Sequence, residues 1–462
     1  MSWLVRVLAP LAAFAIEGPG AGIGAVLFQE LGLLGAGRIT DACQRVFARR
    51  LFMAAFLLRV AIALPLHYVN KLDNGNGALF QDDYTNDLVA EWLVRIARGE
   101  GIAIFPGHQH LLDSSFTYLL MGMYAIFGHV PLLPKLLNCG LGALSAVLIF
   151  DIARRAFRPS VAVIAAVGAT VMPSLVLWSI VTLKESLVLL VALIGLCALQ
   201  RLAASTQGAR ARADALVVVV VLAVVSLDLR STTSLLLLLL LPLVALRGVP
   251  AWRLAVAGSA LVILVGGGLW IVRSGTSGRS MAGVAEDVVL QIRHRRAQEA
   301  AAARSVIRPQ LEVISPEGRI ELPEAEAASD AAPFSFGDDI LDPLGYALLA
   351  PAPWQAHGLT ELGASGEMLG WYVLLGASLF AWRQPGRQDR FLVCLVIFGI
   401  VNWLALAASE GNLGNLLRHR LILAPTLLVL GAAGLDWLWQ RPGRGWPSHV
   451  PALELRKVGV DS

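Results

Sequence analysis

Long apolar runs constrain this chain more than any other feature. A helix needs about 20 apolar residues to cross the hydrocarbon core of a bilayer. Windows that meet or approach that length lie at 51–69, 133–153, 160–180, 185–204, 213–228, 231–247, 252–272, 366–382, 390–408 and 419–439. They predict an all-α polytopic membrane protein of about ten spans. Composition agrees, since 56% of the 462 residues are hydrophobic and only 15% are charged. That balance excludes a secreted disulfide scaffold and a DNA-binding protein, so the expected partners include the lipid bilayer and no nucleic acid. Cys43, Cys139, Cys197 and Cys394 are far apart, and at least three of them sit in apolar runs. They read as small buried hydrophobes rather than metal ligands.

Basic residues set the orientation, because Lys and Arg collect on the cytoplasmic side. Arg45, Arg49 and Arg50 precede the first clear span, which puts residues 70–130 outside. Arg154, Arg155 and Arg158, then Arg201, Arg210 and Arg212, then Arg247 and Arg253 fall inside. Arg383, Arg387 and Arg390 follow, and Arg441 and Arg444 close the series. Every second boundary is basic, and deleting any one span would break the alternation.

Residues 1–48 form an apolar N-terminal segment in which Glu17, Pro19 and several glycines interrupt the first 37 residues. A broken or interfacial hairpin suits it better than a clean span or a signal peptide. Residues 49–272 are expected to form a transmembrane core whose outer loop, 70–130, carries two helices lying on the membrane at 83–98 and 111–127. A polar loop region follows at 273–365, then C-terminal spans at 366–440 and a cytoplasmic tail at 441–462.

With orientation fixed, ionisable residues gather at the outer ends. The first loop supplies Asp82, Asp83, Asp87, His108 and His110, and the next span opens on Lys135 and Asn138. Later outer turns supply Lys184 and Glu185, then Asp228 and Arg230, then Glu410, Arg418, His419 and Arg420. Charge at membrane depth is costly, about 2.5–3.5 kcal/mol each at a helix centre. Carboxylates and cations facing one cavity suggest an acid/base group beside an anion-binding pocket. Each residue also has a structural use. Asp82 and Asp83 can cap the helix at 83–98, Lys184 and Glu185 can pair at a helix start, and Arg418 and Arg420 can anchor a span end by snorkelling. His108 and His110 have no evident third partner, so no metal and no other cofactor is expected.

The order of elements resembles the GT-C membrane glycosyltransferases, including the protein O-mannosyltransferases and lipid A aminoarabinose transferases. A span leads to an outer loop with an acidic pair, then an amphipathic helix ending "RGEG" and a surface helix ending "AIFG". Next come "PKLLNCGLGALSAVLIFDIARRAF" and a Pro-containing span closing on an acidic outer turn. The resemblance covers residues 49–205 well and 340–440 more loosely. It departs at "GHQHLLDSSFTYLL", where the family has a Pro-Pro-Leu-Tyr-like start, and the first 37 residues are extra.

The resemblance implies a GT-C-like helix bundle in a bacterial plasma membrane, with its active site on the extracytoplasmic face. Asp82 would be the catalytic base, Asp83 would orient it or share the role, and Glu185 would fall at the second acidic position. Lys135, Arg418 and Arg420 would lie near the lipid phosphate, with Lys184, Arg230 and His110 as further binding groups for phosphate or sugar. The implied partners are a polyprenyl-phosphate-linked sugar donor and a glycan, lipid or protein acceptor. Direct displacement with one base predicts inversion at the anomeric carbon. Two other activities fit a lipid-linked glycan. One is a polysaccharide polymerase or ligase, which the 273–365 loop keeps open; the other is a transporter, which the one-sided charge and the lack of a repeat disfavour.

Overall fold

The computed structural model describes residues 3–39, 42–101, 111–112, 114–204, 208–245, 313–314, 320–321, 337, 341–355, 359–384, 389–410 and 413–440. The expected span at 252–272, His108, His110, most of the 273–365 loop and the tail from 441 lie outside those residues. The described chain is helical apart from one two-residue antiparallel pair, Val313–Ile314 with Ile320–Glu321. Among the described residues, six stretches are long and apolar enough to cross a membrane: Pro19–Ile39, Arg45–Asp73, Leu132–Ala156, Glu185–Ala203, Arg390–Ser409 and Leu413–Trp439.

The N-terminal segment is a pair of helices, α1 (Trp3–Glu17) and α2 (Pro19–Ile39), that turn at Gly18. Helix α2 packs lengthwise against α3 (Arg45–Asn74) and α6 (Leu132–Ala156). Between those two come the short outer helices α4 (Gln81–Ala97) and α5 (Ser115–Phe127), which pack on each other. Helix α6 is the hub, touching α2, α3, α7 (Pro159–Val171) and α9 (Glu185–Ala203). It can do so because most of its residues are buried and mainly apolar or small, as expected of a helix with no solvent side.

The run at 160–180 is not one straight helix. It stops at Val171, resumes for a single turn as α8 (Pro173–Leu177), and then runs irregularly to Lys184. Pro173 is the cause, since it has no N–H to continue the ladder and its ring crowds the preceding turn. Helices α10 (Ala209–Leu229) and α11 (Ser231–Ala245) form a hairpin on α9. The C-terminal part adds α12 (Asp342–Leu349), α13 (Leu359–Ser378), α14 (Asp389–Ser409), α15 (Leu413–His419) and α16 (Ala424–Trp439). Helix α16 docks against α7 and α13. This brings the α14–α15 turn, the start of α9 and the start of α4 to one end of the bundle, where the expected outer charges lie.

Candidate functional site

The adjacent aspartates of α4 have opposite fates. Neighbouring residues on a helix point about 100° apart, and here one side chain faces the open end while the other faces the bundle. Asp83 is 1% exposed. Its Oδ1 accepts the Thr182 N–H at 2.8 Å and its Oδ2 accepts the Leu79 N–H at 2.9 Å, with the Lys135 ammonium 3.3 Å from Oδ2. The bond back to Leu79 caps the start of α4, as a first-turn carboxylate commonly does. Asp83 is thus a tie between α4, α6 and the 178–184 turn, and it has no open face from which to act on a substrate. The structure gives Asp83 this tying role, where the resemblance implies that it orients Asp82 or shares its role.

Lys135, expected near the lipid phosphate, is held in the same way. Its side chain is 4% exposed and its ammonium is consumed by Asp83, by the Gly77 carbonyl, and by His67 Nδ1 at 3.4 Å. Gly77 allows the approach: its φ of +72° suits glycine, and a Cβ there would lie 2.2 Å from His67 Nδ1. His67 Nε2 in turn meets Glu17 at 2.9 Å, and Lys71 binds the same Glu17 oxygen at 2.6 Å. Glu17, which interrupts the apolar N-terminal run in the sequence, therefore ties the α1–α2 turn to the outer end of α3. No lipid phosphate can use Lys135 without dismantling this network.

Asp87 is also structural. It takes the Tyr124 hydroxyl, the Asn76 amide at 3.2 Å and His129 Nε2 at 3.2 Å, and so fastens α4 to α5. Tyr124 and His129 help line an outer cavity of about 250 Å³ together with Glu91, Arg95, Arg98 and Glu100. Burial opposes the charged form of His129, but the Asp87 hydrogen bond and the charges of Asp87, Glu91 and Glu17 outweigh it and raise its pKa. A raised histidine stabilises the fold fully below its unfolded value near 6.5 and loses that contribution as pH climbs through the folded value. The thermal midpoint in detergent should therefore fall as pH rises above about 6.5, and His129→Gln should flatten that part of the profile. An unchanged slope in the variant would remove His129 from the account.

Asp82 is the open member of the group, with 58% of its side chain exposed. It pairs with the Arg418 guanidinium, whose Nε lies 3.0 Å from Glu185 Oε1. Glu185 starts α9, is nearly buried, and keeps its other oxygen without a hydrogen-bond partner among the described residues. His419 joins Glu185 at 3.7 Å to Glu410 at 2.7 Å. Burial would raise the Glu410 pKa, but the His419 hydrogen bond and charge and the Arg230 charge bring it below the usual value. Helices α4, α9 and α15 thus contribute one charged group each to a connected carboxylate–guanidinium–carboxylate line.

Two cations stand beside that line. Lys184 and Arg230 feel the charges of Glu185 and Arg418, yet neither makes an ion pair within 4 Å among the described residues. Burial lowers both pKa values. The charges of Arg230 and Arg418 lower that of Lys184 further, and Arg418 does the same to Arg230. An anion bound between them would relieve both penalties. Asp228 shares this corner and accepts the Ser115 N–H at 2.6 Å, which holds the start of α5.

Arg420, expected beside Arg418, points the other way. It is 2% exposed, contacts Met368 Sδ at 2.8 Å and lies 5.9 Å from the Trp371 ring, with Nε and Nη2 unpartnered among the described residues. Residues two apart on a helix point about 200° apart, so the two side chains leave opposite faces where α15 passes into the 3₁₀ turn at Arg420–Leu423. Sequence reasoning also missed Arg59, His67, Tyr124 and Glu367. The signal for Arg59 was available, because a lone arginine at the centre of a span is costly enough to need a reason.

No group of three or more His, Cys, Asp and Glu side chains among the described residues is placed to hold a metal ion. No protein-family model matches the chain, and neither does any curated protein or solved structure.

Proposed function

We propose that the chain is a multi-pass glycosyltransferase of the GT-C kind, with about ten spans and its site on the extracytoplasmic face of a bacterial plasma membrane. It would move a sugar from a polyprenyl-phosphate-linked donor to a glycan, lipid or protein hydroxyl. One observation carries this reading: an exposed carboxylate, Asp82, sits in a charge line with Arg418 and Glu185, beside the cations Lys184 and Arg230, which make no ion pair among the described residues.

In this reading Lys184, Arg230 and Arg418 receive the donor phosphate at the bilayer edge, where its lipid tail must remain. The acceptor oxygen attacks the anomeric carbon and Asp82 takes its proton. The bond between that carbon and the phosphate oxygen breaks, and the phosphate leaves with the electron pair. The cations stabilise the charge that develops on it. Glu185 holds Arg418 in place while Asp82 is free to act. Attack opposite the leaving group inverts the anomeric centre.

The test is transfer of labelled sugar from native lipid-linked donors in membranes that contain the chain, against matched membranes that lack it and against Asp82→Asn. Transfer that depends on the chain and on Asp82 supports the enzyme. Equal label in all three membranes refutes it.

A further inference from the structure

Arg59 lies in the middle of α3, 1% exposed, with no carboxylate partner among the described residues. Inserting such a charge costs about 2.5–3.5 kcal/mol on a helix-centre scale, so something must compensate it. Its contacts identify what does. Nη2 donates to the Ala169 carbonyl at 3.2 Å, and Nη1 to the Thr170 carbonyl at 3.4 Å and the Ala55 carbonyl at 3.1 Å. Nε donates to Ser179 Oγ at 2.8 Å, and Ser179 passes its own proton to the Val176 carbonyl at 2.8 Å.

Two of those carbonyls are the ones that the break in the 160–180 run leaves orphaned. In a continuous helix the N–H of residue 173 would serve Ala169, but Pro173 has none. The N–H of Ser174 would serve Thr170, but it donates instead to Glu367 at 2.8 Å. The guanidinium therefore replaces two missing helix bonds at once, and the negative end of the α7 dipole balances its charge. Room for it comes from α6, where a Cβ on Gly142 would lie 2.8 Å from Arg59 Nε and 2.7 Å from Ser179 Cβ.

The segment anchored this way leads directly to the candidate site. From Ser179 the chain turns through Val181, Thr182 and Leu183 to Lys184 and Glu185. Asn138 holds the Val181 and Leu183 carbonyls at 2.6 and 2.8 Å, and Asp83 holds the Thr182 N–H. Arg59 fixes the membrane-side end of that turn and these two fix the outer end. We propose that Arg59 is a positioning residue for the transfer reaction. By stapling the broken α7–α8 joint to Ser179, it sets where the 178–184 turn presents Lys184 to the donor phosphate and Glu185 to Arg418. The catalytic part of this inference rests on the glycosyltransferase reading, whereas the structural part does not.

The test combines hydrogen–deuterium exchange of the purified full chain with transfer kinetics, for Arg59→Lys and Ser179→Ala. Lysine keeps the charge but cannot span two carbonyls and a hydroxyl. Ser179→Ala leaves the guanidinium and its carbonyl contacts and so carries the test if Arg59→Lys does not fold. Both should speed exchange in 178–184 while the interiors of α6 and α9 keep wild-type protection. Both should lower kcat by roughly 10–10²-fold, the scale expected when a reacting group is misplaced by about 1 Å, with little change in the amount of folded protein. Wild-type exchange in that turn for Ser179→Ala overturns the inference, as does faster exchange spread evenly over the bundle. If wild type itself transfers nothing, the glycosyltransferase reading fails, and the exchange data still decide whether Arg59 sets the turn.

Discussion

Asp82→Asn is expected to lower sugar transfer by roughly 10²–10⁴-fold, the range for losing a general base, while folding and donor affinity stay close to wild type. Asparagine keeps a carbonyl oxygen that can accept the Arg418 hydrogen bond, so the contact between α4 and α15 survives. What it cannot do is take a proton. Because Asp82 is largely exposed and its pair with Arg418 is half in water, the stability change should stay within about 0.5 kcal/mol. The matched control is Asp83→Asn. That carboxylate is buried on two backbone N–H groups and an ammonium, so its loss should show in the thermal midpoint first and lower turnover less than Asp82→Asn does, through a looser 178–184 turn and lost protein. Equal turnover by wild type and Asp82→Asn would return Asp82 to a purely electrostatic role at the start of α4.

The second large effect concerns stability. Lys135→Met removes an ammonium that touches Asp83, the Gly77 carbonyl and His67, and it leaves the Asp83 charge buried without a counter-ion. Breaking a buried pair by removing one partner typically costs about 3–5 kcal/mol, because the remaining charge stays desolvated. Urea or thermal unfolding in detergent should register a loss of that order. Asp83→Asn in the Lys135→Met background should recover much of it, since a neutral amide no longer needs the cation. Additive losses in the double variant would show that the two side chains are not coupled. An unchanged midpoint in Lys135→Met alone would mean that the pair contributes nothing.

Much of the architecture was legible in the sequence, because it depends on local properties. The lengths of α3, α6, α9, α14 and the closing α15–α16 stretch follow from apolar runs, and their boundaries follow from the basic clusters that end them. The two outer helices between α3 and α6 followed from apolar spacing, and α4 and α5 lie within a few residues of the expected ranges. The meeting of Asp82, Glu185 and Arg418 at one end was also readable, since alternate turns of successive spans fall on the same side. The broken span at 160–180 could have been read more closely, as Pro173 stands in plain view.

Only the tertiary structure sorted those charges. Asp82 and Asp83 are adjacent and chemically identical, yet a 100° step on the helix gives one to solvent and Arg418 and the other to Lys135 and the backbone. Arg418 and Arg420 are separated by a single histidine, and the two-residue step, about 200° on a helix, sends one to Glu185 and the other to Met368. Arg59 gains its meaning from Pro173 and Ser179, which lie on a different helix and the turn beyond it. Hydropathy is a sum over neighbours along the chain, so one dimension suffices to read it. The availability of a carboxylate or a guanidinium depends on which partners reach it across the bundle, and that is decided only when the helices pack.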